Sequence, residues 1–312
     1  MTGRTWAPAV PEVGNAASDA PGGGVSHRQR LGAVGIWASA CPTDKPSAER
    51  AAVEIEATGV RALWMPPGLR LERLDTIEHM LAATRSLVVT TAVVSMWTLD
   101  AISLAARHAA LRARFGRRFV LGLGVSHAPL MPLGVTCSRP LTAMGDYLDE
   151  LDRAPVPVGC DERVLAALGP HMLGLARDRS LGAHPLIVTP EHTRRARATL
   201  GSAALLAPGQ KVVLERDPSL ARARARRSVA GHLTLANYAE SLRRLGFRDD
   251  DLADGGSDRL IDSIVAWGDV DSVRARIAEH LSAGADHVAI DVVGHEPGSD
   301  VAEVWRALTS GW

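Results

Sequence analysis

The chain is 312 residues long, 46% hydrophobic and electrically neutral, because its basic and acidic residues are equal in number. Neutrality argues against a nucleic-acid or membrane-surface protein, since both depend on a basic face. No apolar run approaches the ~18 residues of a membrane span, and the length suits one large α/β barrel or two smaller domains.

Residues 1–30 carry Pro, Gly and Ser without apolar periodicity and lack the charged start and apolar centre of a signal peptide. A disordered tail is expected there. Cys41, Cys137 and Cys160 are odd in number and show no C-x-x-C spacing, which points to reduced thiols in a cytosolic protein. Lys45 and Lys211 are the only lysines, the other basic residues being arginines.

Strand and helix signals then alternate. A first strand is expected at Leu31–Trp37, followed by a helix capped by Ser47 and ended at Gly59. Arg61–Pro66 makes a second strand, stopped by Pro66-Pro67-Gly68, and Asp75–Arg85 a helix. Leu87–Trp97 is rich in β-branched residues and makes the third strand. In the segment after it, Ala101, Leu104, Ala105, His108, Ala109 and Leu111 share one helical face. Arg118–Val125 makes the fourth strand, and a proline-rich loop leads to a helix at Leu141–Arg153. Arg163–Leu168 and His184–Thr189 are the fifth and sixth strands, turning into helices at Gly169-Pro170 and at Pro190. The seventh, Leu205–Leu214, is interrupted at Pro208-Gly209 and precedes a helix over Pro218–Leu233. Thr234–Val265 is expected to be an irregular insertion. Asp269 caps a helix closed by Gly284, His287–Val293 is the eighth strand, and Val301–Leu308 the last helix.

Eight strands alternating with helices over about 280 residues is the count of a (β/α)8 TIM barrel. A doubly wound dinucleotide fold would need G-x-G-x-x-G opening into a helix. Here Gly122-Leu-Gly124 lacks the third glycine and opens into prolines.

Barrel ligands sit at the C-terminal ends of the strands. His127 follows the fourth strand, just after a glycine pair that would let a ligand approach the backbone. Its imidazole there either exchanges a proton near neutral pH or packs under the next loop. Ser95 and Trp97 end the third strand, and with Trp37 and Trp64 they suggest an aromatic-walled mouth. Gly169-Pro-His171-Met172 and Thr189-Pro-Glu-His192 open helices whose backbone N–H groups suit an anion, although Gly-Pro is also an ordinary turn signal. No metal-ligand spacing and no Gly-x-Ser-x-Gly elbow occurs, so neither a metalloenzyme nor a hydrolase is supported.

With Thr91-Ala-Val-Val-Ser, Phe119-Val-Leu-Gly-Leu-Gly-Val, Leu165-Ala-Ala-Leu-Gly-Pro and Gly182-Ala-His-Pro-Leu-Ile-Val-Thr-Pro-Glu-His-Thr in this order, the chain resembles the bacterial luciferase-like monooxygenase superfamily. More narrowly it resembles the branch that uses the deazaflavin coenzyme F420, from Leu31 to about Val293. The resemblance implies a flavin-type ring across the mouth of the barrel, with its phosphate near the fifth and sixth strands. It also implies a non-prolyl cis peptide in a bulge of the third strand, expected between Ala92 and Val93. Carried over by position, Ala92, Val93 and Val94 form the bulge, Ser95 and Trp37 meet the cofactor, and Val125 and Ser126 flank the ring. Leu168, Gly169 and Met172 sit at the phosphate, helped by Val188 and Thr189. His127 falls where deazaflavin-dependent relatives often place a catalytic glutamate. His171, His192, Arg194 and Arg195 would meet the anionic tail that distinguishes the deazaflavin from FMN.

Two positions depart from the family pattern. Pro66-Pro67 stands where several relatives carry an Asp-His pair for alcohol oxidation, and Leu168-Gly169 replaces a glycine pair at the phosphate. The resemblance therefore implies hydride transfer between deazaflavin and a small organic substrate, in the direction of reducing an activated double bond. The alternatives are an FMN-dependent monooxygenase and a barrel that only binds a flavin or a partner. A homodimer with residues 234–265 as a lid is expected.

Overall fold

The computed structural model describes residues 26–38, 44–66, 73–126, 139–294 and 301–312. His127, Cys41 and Cys137 lie outside the described residues. Helix α1 (His27–Leu31) precedes strand β1 (Val34–Trp37), α2 (Lys45–Ala57), β2 (Ala62–Met65) and α3 (Arg73–Ala83). Strands β3 (Val88–Thr91) and β4 (Val94–Ser95) are followed by α4 (Ala101–Phe115), β5 (Phe119–Gly124), α5 (Pro140–Asp152) and β6 (Arg163–Leu165). Next come α6 (Pro170–Arg179), β7 (Gly182–Ala183), α7 (Pro190–Leu200), β8 (Leu205–Leu206), β9 (Gly209–Leu214) and α8 (Pro218–Leu233). The chain finishes with α9 (Ala236–Arg244), α10 (Asp249–Leu252), α11 (Asp258–Ile264), β10 (Val265–Gly268), α12 (Val270–Ser282), β11 (Val288–Val292) and α13 (Val301–Thr309).

The strand pairings are parallel and run β11-β1-β2-β3-β5-β6-β7-β8 around the sheet. β9 pairs with β11, and Leu186 bridges Gly209, so the sheet closes on itself. Counting β8 and β9 as one strand bent at Ala207-Pro208, the ring has eight members and is a (β/α)8 barrel. β10 joins β9 beyond the end of β7 and was not foreseen from the sequence.

Alternation along the strands sorts the side chains into two layers. Leu63, Met65, Val89, Leu121 and Leu165 face the helices, whereas Ala62, Trp64, Val88, Val120, Val164 and Ala289 fill the barrel interior. Trp64 is 0% exposed and lies inside this filling, which corrects its expected place in the wall of the mouth. Its ring stacks on His184 at 4.1 Å, and its Nε1–H donates to His287 Nε2 at 2.9 Å. His287 therefore carries its proton on Nδ1, which donates to the Gly32 carbonyl at 2.8 Å. Gly35 is what admits this imidazole, since a Cβ there would stand 2.7 Å from the ring.

Several expected boundaries move for identifiable reasons. Ser26 caps a helix over His27–Leu31, so the expected tail ends earlier, and Leu31 plugs the barrel interior rather than opening a strand. Asp44, not Ser47, caps α2, its carboxylate accepting from the Ser47 N–H. The sixth strand is Gly182–Ala183, ahead of the expected 184–189. Gly182 permits a backbone approach that a Cβ would block at 1.9 Å from the Leu205 oxygen, and this leaves no apolar signature. The expected irregular insertion is helical. Tyr238 and Leu242 of α9 and Leu260, Ile261 and Ile264 of α11 pack on Val229 and Leu233 of α8. The Asp-rich turn between these helices masks their short apolar periods.

The expected cis peptide is present between Ala92 and Val93. β3 stops at Thr91, and the chain re-enters the sheet as β4, now paired with β5. The glycines of β5 serve this bulge rather than a ligand. A Cβ on Gly122 would stand 1.8 Å from the Thr91 oxygen, and one on Gly124 would stand 2.6 Å from Val93 Cγ2. Thr91 Oγ1 closes the joint, donating to the Gly122 carbonyl at 2.9 Å and accepting from its N–H at 2.7 Å.

Two consequences are testable. Replacing Gly122 with Ala forces backbone apart and should cost more than about 2 kcal/mol in chemical denaturation. Gly145→Ala, in α5 with open space around it, should instead gain about 0.5–1 kcal/mol. The buried imidazoles set an acid limit. Burial lowers His108, with the Arg112 charge adding to it, and lowers His184 and His287, each from 6.5 to about 4. Burial likewise lowers His280 to about 3. Unfolded imidazoles take up protons that the folded ones refuse, so stability should fall as pH drops from 6.5 towards 4. Denaturant midpoints that stay flat across that window would show that these histidines are not buried as described.

Candidate functional site

The C-terminal ends of the strands hold most of the expected site residues. Ala92, Val94 and Ser95 are buried and Val93 half-buried at the β3–β4 bulge, with Ser95 paired to Gly124. Val94 faces the helix layer, so it supports the bulge from behind rather than touching the mouth. Val125 and Ser126 are half-buried at the end of β5, and Ser126 adopts a left-handed φ of 67°. Trp97 packs against the core between sheet and helices, which removes it from the expected aromatic wall. Trp37 remains, half-buried at the end of β1 and in contact with the interior cluster.

A second group gathers at β6 and β7. Helix α6 starts at Gly169-Pro170 without a side-chain cap, so the N–H groups of its first turn are open to an anion. Helix α7 starts one strand further on and is capped by Thr189, whose hydroxyl accepts from the His192 N–H. Leu168 and Met172 are half-buried, Val188 and Thr189 buried, and His171 is exposed. His192 is buried, its Nε2–H donating to the Leu168 carbonyl at 2.9 Å, while Nδ1 has no hydrogen-bond partner among the described residues. Burial first, and the Arg244 and Arg195 charges after it, hold this imidazole below its ordinary range. Arg244 Nη1 stands 3.5 Å from Glu240 Oε1. Arg244 comes from α9 in the insertion, and its Nη2 lies 3.5 Å from where a Cβ on Gly169 would stand.

The expected tail-binding cations are arranged differently. Glu191 Oε1 lies 2.6 Å from Arg194 Nη2 and from Arg195 Nε, so both arginines are neutralised by their own helix. His192 is turned inward under Leu168 rather than outward. Arg244 was missed because nothing local marks one arginine among many.

Sequence reasoning also missed a charged pair inside the mouth. Lys211 Nζ on β9 lies 2.7 Å from Asp291 Oδ2 on β11, with the side chains only 12% and 4% exposed. The ammonium stands 5.7 Å from the centre of the Trp37 ring. A signal existed: both charges interrupt apolar strands, Lys211 in the middle of β9 and Asp291 next to the last residue of β11. Among the described residues, no group of three or more His, Cys, Asp or Glu could hold a metal ion.

No family model matches the chain, and no curated protein is similar to it in sequence. Solved structures are similar in fold. The coenzyme F420-dependent tetrahydromethanopterin reductase from Methanopyrus kandleri has a TM-score of 0.67 at 18% identity, covering 88% of this chain and 97% of that one. An F420-dependent secondary alcohol dehydrogenase, solved with an F420-acetone adduct, gives 0.65 at 14% identity over 88% and 96%. The FMN-bound oxygenating constituent of 3,6-diketocamphane monooxygenase from Pseudomonas putida gives 0.60 at 13% identity over 89% and 96%. The fold of this chain is therefore the (β/α)8 barrel that these structures share.

Proposed function

We propose that this chain is an oxidoreductase that binds coenzyme F420 and reduces an activated double bond in a small organic substrate. The observation that carries this reading is one mouth holding both halves of a cofactor site. The bulge between β3 and β4 would form a floor for a flat ring, and the uncapped start of α6 beside Arg244 and His192 would cradle an anion. The similar structures bind F420 or FMN, and the residues here fit either phosphate-bearing cofactor. Such a cofactor supplies the hydride. Ala92, Val93, Val125 and Ser126 would support the ring, while the Met172 N–H, Arg244 and His192 would hold the phosphate. A phosphate there would draw a proton onto His192, reversing the effect of its burial.

The direction of reaction follows from what the second strand lacks. Half-buried Pro66 ends β2 and offers no base to take a proton from an alcohol, so reduction is favoured over alcohol oxidation. His127, close after β5 in sequence, is proposed as the proton donor. A second reading, an FMN-dependent monooxygenase, is favoured by the pairing of Arg194 and Arg195 with Glu191, which leaves fewer cations for a deazaflavin tail.

Tryptophan quenching in titrations with oxidised F420 and with FMN separates the readings. F420 should bind more tightly, and the difference should shrink as salt screens its anionic tail. Equal affinity, or preference for FMN at low salt, would transfer the chain to the second reading. Arg244→Ala should weaken either cofactor about tenfold. His127→Ala should leave cofactor affinity intact and lower turnover about 10²–10⁴-fold. Unchanged turnover would make His127 a packing residue.

A further inference from the structure

The Lys211–Asp291 pair has no part in the cofactor site, and its position invites a separate account. In the ring of strands, β9 stands diametrically across the barrel from β3, so Lys211 faces the mouth opposite the Ala92–Val93 bulge. β9, β11 and β1 are consecutive neighbours, and Lys211, Asp291 and Trp37 form one wall on them. Registry places them level: Asp291 pairs with Lys211 across the β11–β9 ladder, and Trp37 follows Ile36, the partner of Ile290, in β1.

The wall is rich in donors. Asp291 accounts for one ammonium hydrogen of Lys211 at 2.7 Å, out of the three that an ammonium carries. Trp37 Nε1–H is buried without a hydrogen-bond partner among the described residues. A buried donor left unpaired is costly, so its persistence calls for an acceptor. The ring of Trp37 adds a flat apolar face beside the ammonium. Two donors of this kind, one of them charged, suit an oxygen that carries or develops negative charge in a water-poor site. Asp291 does not satisfy that role, but it fixes the ammonium in place.

We infer that Lys211 and Trp37 bind the oxygen of a planar conjugated carbonyl substrate, Lys211 stabilising the negative charge that builds on that oxygen when the double bond is reduced. The substrate lies between this wall and the bulge, with its carbonyl edge towards the Trp37 N–H. This assignment of the substrate class rests on the reductase reading above. The oxyanion site itself is a property of the protein alone and can be tested without cofactor.

para-Nitrophenol is a suitable probe: it is flat, its phenolate oxygen mimics an enolate, and its yellow colour reports ionisation. Titrated into the full chain, it should bind with its ionisation shifted to lower pH than in free solution. Lys45→Arg should leave this unchanged, because Lys45 is a surface residue 3.7 Å from Glu49. Lys211→Met should lose the shift and weaken binding about tenfold or more. Lys211→Arg, which keeps the charge, should retain part of both. Lys211→Met strands the Asp291 carboxylate, so a double variant with Asp291→Leu guards against misfolding and should lose the shift equally. In the Lys45→Arg background, Lys211 is the only side-chain amine, and the probe should protect it from an amine-reactive ester read by mass spectrometry. Equal binding and ionisation of the probe in wild type and in both Met variants would overturn the assignment, as would wild type binding without a shift. A Lys211-dependent shift in a chain that binds neither F420 nor FMN would remove the reductase reading and leave the oxyanion site standing.

Discussion

The filling of the barrel interior decides where a ligand can and cannot sit. Trp64, wedged against His184 and held by His287, occupies the centre among small residues such as Ala62, Ala207 and Ala289. A tryptophan fits there because Gly35 gives up its side chain to the His287 ring. Both imidazoles donate Nδ1–H to carbonyls, at Gly32 and at Ala207, while His184 Nε2 is buried without a hydrogen-bond partner among the described residues. Above it the strands end in backbone that departs from regular geometry.

Those departures concentrate on one face. The bulge after β3, the left-handed Ser126 after β5 and the left-handed Ile187 after β7 all stand at C-terminal strand ends. Ile187 is β-branched and buried, and its φ of 55° is sterically unfavourable, so its surroundings must impose it. The turn it makes sends the chain into α7, whose start stands beside that of α6. The proposed anion cradle would thus be made by the path of the backbone, with one side chain, Arg244, brought in by residues 234–265. That also gives residues 234–265 a physical link to the site: α9 is anchored on α8 by Tyr238 and Leu242 and delivers Arg244 to Gly169.

Much of this was legible in the sequence. The alternation of short β-branched runs with amphipathic segments identified the barrel, and the break at Pro208-Gly209 in the seventh strand is where β8 gives way to β9. Asp100, Asp269 and Thr189 cap helices as their types suggest. What escaped depends on contacts between distant residues. Gly122 and Gly124 looked like room for a ligand, and only the approach of Thr91 and Val93 shows what they admit. Gly182 was left out of the expected sixth strand because a strand residue with no side chain has no hydropathy to display. Arg194 and Arg195 looked like free cations until the helix placed Glu191 three and four residues before them. Trp64 and Trp97 looked alike as residues near strand ends, and they separate into interior and outer layers only through strand alternation and the bulge.

The Lys211–Asp291 pair is hardest to explain by stability alone. Two charges taken out of water cost several kcal/mol each, and their attraction commonly does no better than a hydrophobic pair of the same volume. Val212 and Val292, the next residues along, show that these two strands accept apolar side chains readily. Other ion pairs keep at least one member open to solvent, as with Arg107–Asp75, or with the buried Arg163 and Glu162, whose partners Asp152 and Arg112 are 41% and 48% exposed. A pair kept instead on adjacent strands, 12% and 4% exposed, beside a tryptophan N–H without an acceptor among the described residues, has the placement of binding chemistry rather than of a core. The barrel thus divides its polar groups by protonation: neutral imidazoles fill the interior, and fixed charges of both signs line the mouth above it.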